Sequence, residues 1–125
     1  MVSKARAERV ADRIAEELAI LLQQEVNDPR LQRVIVTGVD VDRELAYATA
    51  YVSSMDAEQG MDEILHALES ASGFLRSKLA AKIQLRSFPR LRFRQDSSSY
   101  KGERIEELLK MLEEERRGGV EDLEA

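Results

Sequence analysis

Between residues 46 and 53 the chain reads Ala-Tyr-Ala-Thr-Ala-Tyr-Val-Ser, and this alternation restricts the fold more than any other stretch. Side chains alternate across a strand, so Ala46, Ala48, Ala50 and Val52 share one face while Tyr47, Thr49 and Tyr51 share the other. A strand face built of alanines suits helices packed closely against it. The pattern therefore predicts a sheet with helices laid on one side.

The flanking segments supply those helices. Residues 3–25 carry Val10, Ile14, Leu18, Leu21 and Leu22 at helical spacing, and Asn27-Asp28-Pro29 stops the run. Arg6, Arg9 and Arg13 recur at three- and four-residue intervals, on a face away from that stripe. Residues 34–41 are rich in β-branched side chains, and Asp42-Arg43-Glu44 is a turn signal before the alternating strand, so the two strands read as an antiparallel hairpin. With Asp56 taken as N-cap, Met61, Ile64, Leu65 and Leu68 repeat at helical spacing up to Ala71-Ser72-Gly73, where a stop or bend is expected. Phe74, Leu75, Leu79 and Ile83 form another apolar stripe bordered by Lys78 and Lys82, and Pro89 precedes a short strand over residues 91–95. Ile105, Leu108, Leu109 and Leu112 then predict one more amphipathic helix. The expected fold class is α+β, in the order α-β-β-α-(kink)-α-β. Residues 1–97 form one domain, and residues 98–125 a C-terminal helix with an acidic tail.

Charge is unevenly distributed. The net charge of −5 arises mostly from the acids after Gly102, whereas residues 71–97 hold Arg76, Lys78, Lys82, Arg86, Arg90, Arg92 and Arg94 against a single carboxylate, Asp96. That stretch is where a polyanion would be gripped. With no cysteine and one histidine, His66, a disulfide framework and a thiolate metal site are excluded, and neither metal nor cofactor is expected. A cytoplasmic, monomeric protein is expected, with no secretory leader and no run of ~20 apolar residues able to cross a bilayer.

Each candidate site has a plainer alternative. A helix starting after Gly73 would offer unpaired N–H groups to phosphate, although a corner between two helices explains the same residues. Arg90, Arg92 and Arg94 alternate along a strand and so project to one face as a ridge for phosphates, or else guard an edge strand against aggregation. The Glu113-Glu114-Glu115 cluster offers a third role, folding back to screen that ridge. Tyr47 and Tyr51 are either stacking platforms or packing residues. His66 has no partner for a metal or a proton relay, Asp40 and Asp42 alternate like a metal pair but are explained more cheaply as a solvated strand end, and no hydrolase triad, Walker loop or dinucleotide glycine pattern is present, so no enzyme activity is expected.

Several segments in order resemble the ribosome-binding factor A family: Asp28-Pro29-Arg30-Leu31; Glu44-Leu45-Ala46-Tyr47-Ala48 with Tyr51-Val52; Ala71-Ser72-Gly73-Phe74-Leu75-Arg76-Ser77; and Leu85-Arg86 followed by Pro89, Leu91, Phe93, Asp96 and Ser97. The resemblance spans roughly residues 4–100. It implies a type II KH-like domain whose Ala-x-Gly kink, Ala71-Ser72-Gly73, replaces the Gly-x-x-Gly loop of other KH modules. It further implies a non-catalytic factor that binds free or immature small (30S) ribosomal subunits through 16S rRNA, aids processing of the rRNA 5′ end, supports growth in the cold and leaves before translation. An assembly GTPase that promotes release belongs to the same expected set of partners. Arg90 and Thr49 depart from the family pattern, where an acid and a lysine are usual. The residues expected to touch RNA are Ala71, Ser72, Gly73, Arg76, Lys78, Lys82, Arg86, Arg90, Arg92 and Arg94, with Arg6, Arg9 and Arg13 as a second contact. The alternative function is a protein-binding adaptor that acts through the C-terminal helix, with RNA contact incidental.

Overall fold

The computed structural model describes residues 1–55, 60–96 and 111–114. In chain order these residues form α1 (Lys4–Gln24), a single 3-10 turn (Pro29–Leu31), β1 (Val34–Val41), β2 (Tyr47–Ser54), α2 (Met61–Lys82) and β3 (Arg90–Gln95). Helix α1 begins where the Ser3 hydroxyl accepts the Arg6 amide at 3.1 Å, and it buries Ala7, Val10, Ala11, Ile14, Leu18, Leu21 and Leu22. After it, Asp28 accepts both the backbone amide and the guanidinium of Arg30, with Nη2 2.7 Å from Oδ2. This clasp caps the 3-10 turn, with Pro29 in its first turn and Leu31 in the core. The Arg30 guanidinium, hydrogen-bonded to Asp28, holds that carboxyl below the usual carboxylate range.

The hairpin forms as its sequence predicts: β1 and β2 are antiparallel, from Val34 opposite Ser54 to Val41 opposite Ala48. Its turn is closed by Asp42, whose Oδ1 accepts the amides of Ala46 at 3.0 Å and Tyr47 at 2.8 Å. Leu45 takes the left-handed conformation, φ 55°, that the turn demands. The register shifts between Val36 and Gly38, so Thr37 forms a bulge, and its hydroxyl donates to the Tyr51 carbonyl. Strand β3 adds parallel to β2, giving a three-stranded sheet in the order β1-β2-β3. Ala48, Ala50 and Val52 are fully buried in one core with Ile14, Leu18, Leu68, Leu75 and Phe93. The small alanine side chains thus let helix side chains fill the space above the central strand.

The expected pair of helices separated by Ala71-Ser72-Gly73 is corrected to one: α2 is helical from Met61 to Lys82, and the order is α-β-β-α-β. The reason is phase. Ile64, Leu68, Leu75 and Leu79, spaced four, seven and four residues apart, remain on one buried face across the small residues. Burying each leucine contributes about 1.5–3 kcal/mol, against about 1 kcal/mol lost by placing glycine rather than alanine in a helix. Gly73 has no positive φ, and the hydroxyls of Ser70 and Ser72 donate back to the carbonyls of His66 and Glu69 without leaving the helix. Gly60 holds the N-cap position in place of Asp56, which lies outside the described residues. Of the expected C-terminal helix, residues 111–114 are helical and exposed, while the rest of that segment and the acidic tail lie outside the described residues.

A continuous helix makes a direct prediction. A Cβ built on Gly73 meets no atom within 4 Å, so Gly73→Ala should raise stability by about 0.5–1 kcal/mol in urea melts. A loss of stability on that substitution would mean that the glycine is required as a break.

Candidate nucleic-acid interface

With the helices on one side of the sheet, its other face is open. Leu91 and Phe93 turn toward the core, so Arg90, Arg92 and Arg94 project from the open face and are exposed. Their register is informative: Arg90 lies beside Tyr47, Arg92 beside Thr49 and Arg94 beside Tyr51 on β2. The guanidinium carbon of Arg92 sits 3.5 Å from the centre of the Tyr47 ring, a stacked cation-π contact that steadies both groups and leaves the charge at the surface. Among the described residues Arg94 donates only to its neighbouring carbonyl, that of Phe93, at 3.2 Å. None of the three guanidiniums forms an ion pair with a described residue.

The other bases of the 71–97 stretch do not join this ridge. Arg76 donates to the carbonyls of Phe88, at 2.7 Å, and Pro89, at 3.3 Å, and so fixes the entry into β3. Lys78 faces α1, 3.9 Å from Glu25 and 5.6 Å from the centre of the Phe74 ring. Lys82 also faces α1: its Nζ is 3.4 Å from Glu17 Oε2, near enough to attract it but not aligned as a hydrogen bond. Arg13 approaches the other oxygen of Glu17 at 3.6 Å. One cationic surface was expected, but the helical bases are drawn to carboxylates of α1 that lie far away in sequence. Arg86 is exposed in the connection to β3. Arg6 and Arg9 are exposed on the solvent side of α1, with the helix layer between them and the open sheet face.

No helix starts at Gly73, so the amides expected to greet a phosphate there lie inside α2. His66 is exposed, Asp42 is committed to its turn, and among the described residues no three His, Cys, Asp or Glu side chains come together to hold a metal ion. No described helix is long and apolar enough to cross a membrane.

The open face also holds a feature not read from the sequence: a cleft of about 540 Å³ lined by Thr37, Gly38, Val39, Asp40, Tyr51, Gln95 and Asp96. Gly38 inside a β-branched run was its one visible signal, since an isolated glycine in a strand often marks a bulge.

The model of the family described as ribosome-binding factor A matches residues 6–109. The ribosome-binding factor A of Chromohalobacter salexigens is 44% identical over 106 residues, covering 83% of this chain and 81% of that one. The crystal structure of ribosome-binding factor A from Thermus thermophilus superimposes with a TM-score of 0.64 at 27% identity, covering 71% of this chain and 94% of that one. A homology model of the Thermus thermophilus factor, fitted into a cryo-EM map of a 30S complex, matches with a TM-score of 0.59 at 28% identity, covering 70% and 92% of the two chains.

Proposed function

This chain belongs to the ribosome-binding factor A family, and from that premise we propose that it binds free or immature small ribosomal subunits through 16S rRNA. It assists their late maturation, including processing of the rRNA 5′ end. It acts without catalysis, as a cytoplasmic monomer that supports growth in the cold and is released with the help of an assembly GTPase. Residues 1–97 are the KH-like RNA-binding unit in this reading.

One observation carries the proposal. Three exposed guanidiniums without acidic partners among the described residues stand in a row beside two tyrosines, on a sheet face that no described helix covers. Like charges in adjacent alternate positions repel one another, and a phosphate backbone relieves that repulsion while the rings offer surfaces to bases. Arg86, exposed in the connection to β3, is a basic group outside the ridge, and Arg6 and Arg9 provide a separate contact. The parallel placement of β3 makes the row possible, because it brings the arginines level with the tyrosines. Co-sedimentation with purified small subunits tests the reading: the bound fraction should fall steeply as salt rises, because each neutralised phosphate releases counterions. Binding indifferent to salt would oppose an rRNA interface.

A further inference from the structure

We propose that the cleft on the open face is a pocket for one unstacked guanine of the bound RNA, with Tyr51 as its floor and Asp40 as the group that reads the base. The inference rests on the RNA-binding reading above and goes beyond it, from phosphate attraction to base choice.

Two neighbouring rows cross the sheet. One runs Arg92, Thr49, Asp40; the next runs Arg94, Tyr51, Gly38. A phosphate held at Arg92 and Arg94 on β3 therefore places its own base over the Tyr51 ring on β2, with the base edge pointing to β1, two strand spacings or about 10 Å away. At that point Gly38 has no side chain, and a Cβ added there would meet nothing within 4 Å, so the end of the cleft beside the ring is open. Asp40 is the next residue of β1 on the same face. Its carboxylate is exposed and forms no ion pair or hydrogen bond with any described residue.

Chemistry then selects the base. A carboxylate only accepts hydrogen bonds, so it repels phosphate and seeks donors. Guanine presents two adjacent donors, N1–H and the N2 amine, which match the two oxygens of a carboxylate. Adenine and cytosine each present one amine beside an acceptor nitrogen, and uracil one N–H between two carbonyls. Every base stacks on a tyrosine, so the ring supplies affinity without preference. Asp96, at the end of the cleft beyond Arg94, lies past the path from phosphate to base edge and is not the reading group.

The test is fluorescence anisotropy with octamers of uridine that carry one central G, A, C or inosine, or only U. The G octamer should bind about five- to a hundredfold more tightly than the U octamer, the span of a good bidentate base contact. Inosine, which lacks the N2 amine, should lose most of that gain. Asp40→Asn should abolish the preference and leave the salt dependence unchanged, Asp96→Asn should keep the preference, and Tyr51→Ala should weaken all five octamers together. Circular dichroism melts on each variant confirm that it is folded. Equal affinity for all octamers, or a guanine preference that survives Asp40→Asn or disappears in Asp96→Asn, would overturn the pocket while leaving the RNA reading intact. Failure of every octamer to bind in a salt-dependent way would instead overturn the RNA reading.

Discussion

Replacing Arg90, Arg92 and Arg94 together by glutamine should flatten the salt dependence of small-subunit binding. Each phosphate contact contributes about 0.7–0.9 to the slope of log affinity against log salt, so three lost contacts lower it by about 2–3. At low salt, where counterion release counts most, the same loss should weaken binding by well over an order of magnitude. The variant should remain folded, because all three side chains are exposed and the buried residue of the strand, Phe93, is untouched. Lys78 and Lys82 provide the contrast. Their charges already face Glu25 and Glu17, so their joint replacement by glutamine should change the slope much less than the ridge substitutions do. Equal effects from the two sets would mean that the contact is a diffuse positive field rather than a ridge.

The largest effect on stability is expected from Leu75→Ala. Leu75 is fully buried in the core between α2 and the sheet, and truncation removes its transfer energy and leaves a cavity, a cost of about 2–5 kcal/mol. For a domain of this size that corresponds to a fall in melting temperature of roughly 10 °C or more. Phe74, the preceding residue, is 46% exposed, with the Lys78 ammonium over its ring. Phe74→Ala should cost less than about 1 kcal/mol. Urea melts of the two variants therefore read the rotational phase of α2 directly. The reverse ranking would mean that the helix is turned by about a quarter of a revolution or more.

That same phase marks what the sequence left hidden. The spacing of Ile64, Leu68, Leu75 and Leu79 runs through the whole helix, but the small residues Ala71, Ser72 and Gly73 have the local propensity of a break, and only burial overrides it. The first helix, the hairpin and the alternation of Arg90, Arg92 and Arg94 were legible, since each is written in one short period of residues. The partners of Lys78, Lys82 and Arg76 were not. Glu17 and Glu25 on α1, and the carbonyls of Phe88 and Pro89, become neighbours only when the chain folds. The stretch that looked like one cationic edge is thus divided between a helix-helix seam, a loop clamp and an open sheet face. The alignment of Arg92 with Tyr47 and Thr49 needed the parallel register of β3 on β2, which no local pattern encodes.

The central claim is that RNA meets the open sheet face and not the exposed side of α2. Site-specific photocrosslinking measures it most directly, with a benzophenone amino acid placed either at Thr49, between the tyrosines on β2, or at Ala80, exposed on α2. On purified immature small subunits, position 49 should crosslink to 16S rRNA and position 80 should not. Crosslinks to rRNA from position 80 with none from position 49 would contradict the account.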